Sequence, residues 1–130
     1  MNSSWEKVKD FHVKFNHPIK EVPEILNKER VEKRLLWMQE ELDEFRDADT
    51  IIDQADALID LIYFALGTFV EMGIKPEKIF ELVHISNMQK LFPDGKVRYN
   101  SDGKTIKPPV WKGPEDGIEE EIQKQLLNIC

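Results

Sequence analysis

Residues 40–66 read EELDEFRDADTIIDQADALIDLIYFAL, and this stretch decides the fold. Its first part is strongly acidic, whereas its second part is apolar on almost every side. Good helix formers dominate both parts. Between them, Thr50 followed by Asp53 resembles a capping box with Asp in place of Glu. The stretch therefore predicts two consecutive helices, the second of which begins after Thr50.

Both central helices have predictable ends. The first is predicted from about Lys28 to Ala48, because apolar residues line one face and the other faces carry charge. The second is predicted to end at Gly73, since glycine readily adopts the positive φ of a helix C-terminus.

Shorter helices are predicted on either side of this pair. An N-terminal helix over residues 5–15 follows a Ser3/Ser4 N-cap. A fourth helix has Pro76 in its first turn and runs to about Leu91, and Pro114 opens a last, acidic helix. The intervening stretch contains two Asp-Gly turn signals around a short extended piece.

The expected fold is all-α, with one domain over residues 1–130. A four-helix-type bundle occupies about residues 5–92. A loop-rich basic segment follows over residues 93–130. A chain of 130 residues is long enough for one domain with a core but short for two.

Composition excludes several kinds of protein. The net charge of −7 and the pI near 5.0 argue against a polymeric nucleic acid as partner. The single cysteine, Cys130, favours a reducing compartment, and the charged opening MNSSWEKVKD is unlike a signal peptide. The longest apolar run, Ala57 to Leu66, is far shorter than the roughly 20 residues that span a bilayer. We expect a cytoplasmic protein without a membrane segment.

Carboxylates form a strip on each central helix. Glu40, Glu41 and Glu44 fall at spacings of three and four, so their side chains lie on one strip of the first helix. Nine acidic residues and one basic residue lie between Glu40 and Asp60. Like charges three or four apart cost roughly 0.2–0.5 kcal/mol per pair, which a divalent cation would remove. The stripe on the second helix consists of Asp53, Asp56, Asp60, Tyr63 and Gly67.

Asp60 is the most informative of these residues. Its neighbours from Ala57 to Leu66 are apolar on every side, so we expect them to be buried in the core or in an oligomer interface. A carboxylate in such a place needs a cation, a proton or several hydrogen-bond donors. The two alternatives are a bound metal ion and an ion pair with Arg30, Arg34 or a lysine.

The ligand types predict which metal would bind. Hard oxygen ligands with neither cysteine nor paired histidine favour Mg²⁺, Mn²⁺ or Ca²⁺ over zinc. Mg²⁺ is the expected cofactor, with Mn²⁺ as the alternative, because Mg²⁺ commonly completes its shell with water and substrate phosphates. The glutamate strip alone is also typical of a solvated helix face, so the prediction depends on Asp60.

The region between Met88 and Gly113 is basic, with six Lys or Arg residues against two Asp. This composition suits a polyphosphate, although an ordinary solvated segment has it too. Trp37 offers a ring for base stacking, with core packing as the alternative. The residues predicted to contact a substrate are Trp37, Tyr63, Asn87, Lys90, Lys96 and Lys104.

The two central helices resemble a known family. QEELDEF at 39–45 and DQADALIDLIYFALG at 53–67 are similar to the signature of the MazG-like all-α nucleoside triphosphate pyrophosphatases. That signature is EExxE followed by ExxD. Glu40, Glu41 and Glu44 match EExxE without a gap.

The second motif matches less completely. Asp60 matches the final Asp, but Ala57 stands where ExxD has Glu. Either Asp53 or Asp56 is then the fourth acidic residue, and Asp56 is favoured. The sequence SNMQKLFPDGKVRYNSDGKTIKPPVW at 86–111 is similar to the phosphoribosyl-ATP pyrophosphohydrolase-like subgroup.

The resemblance implies a function and a set of roles. Members cleave a nucleoside triphosphate to the monophosphate and pyrophosphate, and they assemble as dimers or larger oligomers. It implies metal ligands at Glu41, Glu44, Asp56 and Asp60, with Glu40 and Glu41 as catalytic residues; Glu40 would orient or deprotonate the attacking water. The expected partners are a small nucleotide and further copies of the chain, as a homodimer or homotetramer.

Two alternatives stay open at this point. One is a catalytically silent helical module that binds a nucleotide or metal, and the other is a phosphoribosyl-ATP pyrophosphohydrolase of histidine synthesis. The sequence leaves open whether the role is house-cleaning of aberrant nucleotides or control of a nucleotide pool.

Overall fold

The structure is a computed structural model that describes residues 1–128. This range contains no β-strand, and an isolated bridge joins Tyr99 and Thr105. The all-α fold predicted from the sequence is therefore confirmed. Its helices are α1 Asn2–Lys14, α2 Lys28–Asp47, α3 Ile51–Met72, α4 Glu77–Met88 and α5 Glu115–Leu127.

Side-chain caps mark the starts of α2 and α3. The side chains of Asn27 and Thr50 each accept a hydrogen bond from the backbone N–H three residues later, at 2.9 and 3.0 Å. These contacts begin α2 and α3 where the sequence predicts them. The Ser3/Ser4 N-cap of α1 is wrong, because the helical hydrogen bonds already start at the carbonyl of Met1.

The chain divides into two compact units, and each is described by itself. The first unit comprises Met1–Pro76 together with the residues from Gln125 onward, and the second comprises Glu77–Lys124. The single domain over residues 1–130 stays a prediction.

In the first unit, α3 packs against both α1 and α2. A small apolar core between α1 and α3 is formed by Trp5, Val8, Leu66 and Val70. The α2–α3 contact has a different composition, because charged and aromatic side chains occupy much of it. That contact carries the candidate site.

Gly73 ends α3 in a conformation that other residues rarely adopt. Its φ is +69°, and a Cβ atom at this position would lie 2.5 Å from the carbonyl oxygen of Val22. The linker that contains Val22 runs against the end of α3, where the Lys20 N–H donates to the Val70 carbonyl at 3.2 Å. Glycine is therefore required both for the turn and for the close approach of the linker.

The apolar stretch of α3 is only partly buried within one chain. Ala57 and Leu66 are buried, whereas Leu58, Ile59 and Ile62 are 42, 61 and 51% exposed. Burial of the whole stretch in the core is therefore wrong, and an oligomer interface stays a prediction. Within residues 1–128 no single helix is long and apolar enough to cross a membrane; α3 and α4 taken together pass that test by length and composition only.

In the second unit, α4 ends at Met88, before a loop with two tight turns. Gly95 and Gly103 have φ values of +76° and +77°, as the two Asp-Gly signals predict. The indole N–H of Trp111 donates to the carbonyl of Ser86 at 2.7 Å and fixes the end of this loop to α4.

Candidate metal centre

The α2–α3 contact is an antiparallel ladder, because the contacting residue numbers rise along α2 as they fall along α3. Successive contacts lie three or four residues apart, so each one adds about one helical turn. The contacting pairs are Arg30 with Glu71, Arg34 with Gly67, Trp37 with Phe64, and Glu41 with Asp60.

The ladder consists of three layers with different chemistry. One end carries charges of both signs, the middle is aromatic, and the other end carries only carboxylates. We call them the arginine layer (Arg30, Arg34 and Glu71), the aromatic layer (Trp37 and Phe64) and the acidic layer (Glu41, Glu44 and Asp60).

The acidic layer brings three carboxylates together, and none of its members is a lysine or an arginine. One oxygen each from Glu41, Glu44 and Asp60 lies within 4.8 Å of the other two. Glu41 and Asp60 are partly buried, and Oε2 of Glu41 is buried without a hydrogen-bond partner in residues 1–128. An orphaned buried carboxylate oxygen is energetically unfavourable, and a bound cation is one way to satisfy it.

Burial and neighbouring negative charge both disfavour ionisation in the acidic layer. Loss of hydration raises the pKa of Glu41 to about 7, helped by contact with Glu44 and by the negative charges of Glu44, Asp60 and Asp56. The pKa of Asp60 is also raised, first by burial and then by Asp56 and Glu44. A group of carboxylates that resists ionisation in this way has the donor set of a hard divalent cation.

Other predicted carboxylates lie at the edge of this layer. Asp56 is exposed, but its charge acts on both Glu41 and Asp60. Asp53 lies in the first turn of α3, where its backbone N–H donates to Thr50. Glu40 is exposed and is not part of the group of three.

The predicted aromatic contacts lie beside the acidic layer. The ring of Trp37 is 5.9 Å from that of Phe64, and the guanidinium carbon of Arg34 is 5.1 Å from the Trp37 ring. Tyr63 is partly exposed and meets Phe11 edge to face at 5.6 Å. Trp37 therefore has a structural role in the ladder, and this role does not depend on any contact of its ring with a substrate.

The remaining predicted substrate contacts belong to the second unit. Asn87 is exposed near the end of α4, and the ammonium of Lys90 lies 5.3 Å from the centre of the Trp111 ring. Lys96 and Lys104 are exposed and follow the two glycine turns. The structure describes this unit by itself, so the contacts of these four residues with a substrate stay predictions.

The arginine layer was not predicted as a unit. Glu71 is 1% exposed and accepts from Nε and Nη2 of Arg30 at 2.8 and 2.9 Å and from Nε of Arg34. An ion pair of Asp60 with Arg30 or Arg34 is therefore wrong, because both arginines bind Glu71. The available signal was a second acidic residue in the apolar part of α3, between Val70 and Met72.

Arg34 also connects the arginine layer to α1. Its Nη2 lies 3.4 Å from Nε2 of His12, whose Nδ1 is 2.8 Å from the carbonyl oxygen of Pro18. A Cβ atom on Gly67 would lie 2.8 Å from Nη1 of Arg34. The contact between His12 and Arg34 was not predicted from the sequence.

These features define a class of protein: an all-α protein with a cluster of three carboxylates on two packed helices. The phosphoribosyl-ATP pyrophosphohydrolase family model matches residues 8–87. The chain belongs to this family, which is part of the MazG-like all-α NTP pyrophosphatase superfamily. It is thus a nucleotide pyrophosphohydrolase, a hydrolase that acts on phosphoric anhydrides of small nucleotides. No curated protein matches the chain.

Proposed function

We propose that this protein is a Mg²⁺-dependent pyrophosphohydrolase that cleaves a nucleoside or deoxynucleoside triphosphate to the monophosphate and pyrophosphate. The observation that carries this proposal is the acidic layer, in which Oε2 of Glu41 is buried without a partner in residues 1–128. The family's chemistry and its typical dependence on a metal support the same conclusion.

The carboxylates of the acidic layer, Glu41, Glu44 and Asp60, would hold the cation together with Asp56. Asp56 is preferred to Asp53 because its charge acts on both Glu41 and Asp60. When bound, a divalent cation supplies a water of lowered pKa and positive charge for phosphate oxygens.

Glu40 is proposed to accept the proton of the attacking water, with Glu41 as the second catalytic carboxylate. Glu40 is exposed and adjoins Glu41 in α2, so it is free to reorient toward a ligand. Within residues 1–128, Glu40 would not have to break a hydrogen bond to take this role.

The remaining proposed contacts serve the nucleotide itself. Trp37 and Tyr63 adjoin the acidic layer along α2 and α3 and would contact the base or sugar. In the second unit, Asn87, Lys90 and the two turn lysines, Lys96 and Lys104, would bind phosphate oxygens and stabilise the departing pyrophosphate.

A homodimer or homotetramer in the cytoplasm is the proposed physiological form. The support for an oligomer is the exposed apolar face of α3, where Leu58, Ile59 and Ile62 would otherwise contact water. The support for the location is compositional, since the chain is acidic and has one cysteine.

The substrate is the least determined part of the proposal. Phosphoribosyl-ATP is the substrate named in the description of the matching family, so it belongs in any test panel. Membership of an enzyme family does not favour a catalytically silent binding module.

The decisive test incubates the purified full chain with ribo- and deoxynucleoside triphosphates and phosphoribosyl-ATP, with Mg²⁺, Mn²⁺ or EDTA. Ion-exchange chromatography then separates the products. We expect a monophosphate and pyrophosphate from at least one triphosphate with Mg²⁺, and none with EDTA. Turnover of phosphoribosyl-ATP alone would reassign the substrate, and full turnover in EDTA would refute the metal site.

A further inference from the structure

The arginine layer lies on the same two helices as the acidic layer but makes no contact with it. From Arg34 to Glu41 there are seven residues, which is two helical turns or about 10 Å along α2. Glu71 is likewise three turns from Asp60 along α3. The arginine layer can therefore affect the acidic layer only by fixing the placement of α2 against α3.

Glu71 is suited to fixing that placement because it holds two arginines that are one turn apart. Both of its oxygens bind Arg30, and one of them also accepts from Arg34. The charges of Arg30 and Arg34 keep the pKa of Glu71 below its usual value, although burial alone would raise it. A buried carboxylate held in this way has one favourable position and strongly resists displacement.

A slip of α2 by one turn would break this arrangement. The slip moves each residue about 5.4 Å and leaves Glu71 with only one of its two arginines. It would also carry Glu41 away from Asp60 by more than the 4.8 Å within which the acidic oxygens now lie. Apolar contacts alone would oppose such a slip only weakly, because they have little directional preference.

The aromatic layer transmits the placement to the acidic layer. The Trp37 ring lies 5.4 and 5.1 Å from the guanidinium carbons of Arg30 and Arg34, and it packs on Phe64. Trp37 precedes Glu41 by one turn of α2, and Phe64 follows Asp60 by one turn of α3. The arginine layer thus contacts the Trp37 ring directly and acts on the Phe64 ring through Trp37.

We propose that Glu71, together with Arg30 and Arg34, positions α2 against α3 so that Glu41 and Glu44 meet Asp60, and that affinity for the divalent cation depends on this arginine layer. The inference rests on the proposed metal site. Glu71 is a positioning residue, since it lies too far away to contact the cation or the substrate.

The test measures Mn²⁺ affinity of the full chain by isothermal titration calorimetry, with thermal unfolding of each variant recorded in parallel without metal. Glu71→Gln removes the charge that holds both arginines. We expect Mn²⁺ affinity to fall about tenfold, the lower end of the range for groups that contact a metal ligand directly, because Glu71 acts on the ligands from a distance. Glu21→Gln is the matched control, because Glu21 forms an exposed pair with Lys9 on the same unit.

A second variant separates positioning from stability. Arg34→Met combined with Glu71→Gln removes a buried cation along with its partner, so we expect the thermal midpoint to recover most of its loss. Mn²⁺ affinity should stay low, because Arg30 alone cannot hold the register.

The outcomes are distinct. Recovery of affinity along with the midpoint in the double variant would mean that the layer only stabilises the fold, and the inference would be overturned. Unchanged affinity in a folded Glu71→Gln protein would overturn it as well. Absence of Mn²⁺ binding by the unsubstituted protein would overturn the proposed function first, and the inference with it.

Discussion

The arginine and acidic layers are two charged clusters on the same pair of helices, yet their charges are balanced in opposite ways. In the arginine layer, the buried Glu71 carboxylate is satisfied by two guanidinium groups of the same chain. In the acidic layer, Glu41 has a buried oxygen without a partner in residues 1–128 and a pKa raised to about 7. The buried carboxylate of the first cluster is satisfied within the chain, whereas the second cluster is the proposed cation site.

The difference separates a structural role from a functional one. A chain selected for stability alone would not leave three carboxylates together on adjacent helix faces, because their repulsion opposes the packing of α2 on α3. A chain that needs both a fixed register and a metal site benefits from having both clusters. Substitutions in the two layers should therefore differ in their effect on the free energy of unfolding without metal.

The largest expected effect is the loss of turnover in Asp60→Asn. Turnover should fall at least about 10³-fold, because removal of one preorganised contact already costs roughly 10²–10³-fold and this change also weakens the metal site. The free energy of unfolding without metal should not decrease, since the substitution removes repulsion. Steady-state assays and urea unfolding test the two parts. Asp47→Asn, an exposed residue paired with Arg46, is the control; retained activity in Asp60→Asn would remove Asp60 from the site.

Glu71→Gln should differ from Asp60→Asn by lowering stability without metal, in addition to its expected effect on metal affinity. Removing one partner from a buried ion pair typically costs about 3–5 kcal/mol, because the remaining charges lose their compensation. We expect a decrease of that size in the free energy of unfolding, measured by urea denaturation without metal. Glu21→Gln should change it by less than about 1 kcal/mol, as is usual for an exposed pair. If the two variants lost equal stability, the arginine layer would have no special structural role.

Added metal should stabilise only a protein with an intact acidic layer. At a free Mg²⁺ concentration of 100 times Kd, binding to the folded state adds about 2.7 kcal/mol to the free energy of unfolding. The unsubstituted protein should approach this increment, and Asp60→Asn should show little of it. Ca²⁺ and Mn²⁺ can be compared in the same thermal scans. Equal stabilisation of both proteins would place the Mg²⁺ site elsewhere in the chain.

Much of the fold could be predicted because its signals are local. The caps at Thr50 and Gly73 involve residues within a few positions of a helix end, and the apolar face of α2 indicates its extent, so α2 and α3 were predicted to within one or two residues. The N-cap of α1 failed because serine is favourable both at an N-cap and in the first turn, and the sequence does not decide between them. Family membership could also be predicted, from the spacing of EExxE and Asp60.

The arginine layer could not be predicted because it depends on contacts between distant residues. Arg30 and Glu71 are 41 residues apart, and either arginine could have paired with Asp60 as far as the sequence shows. Only the packing of α2 on α3 decides that Glu71 receives both. The exposure of Leu58 and Ile59 in one chain could not be predicted for a related reason. An apolar stretch predicts burial, but it does not indicate whether the chain's own core or an assembly provides that burial.

The smallest effect is also the most selective for the acidic layer. Without metal, the free energies of unfolding of the unsubstituted protein and of Glu41→Gln should differ by an amount that depends on pH. The pKa of Glu41 is about 7 in the folded chain against an ordinary value of 4.5, so the folded state binds the extra proton between these pH values. The contribution of Glu41 to the free energy of unfolding must then decrease as pH rises from about 4.5 to 7, and become constant above 7.

Two titrating groups outside the acidic layer, His12 and Glu71, should cancel from this difference. Burial lowers the pKa of His12, so that histidine destabilises both proteins alike as pH falls below 6.5. The pKa of Glu71 is lowered, which makes its stabilisation complete above 4.5 and lost only at lower pH. Urea unfolding of both proteins at pH 5, 6, 7 and 8 would measure the difference. A difference that stayed constant, or grew with pH, would mean that Glu41 is ionised and satisfied in the folded chain, and the contrast between the two layers would disappear.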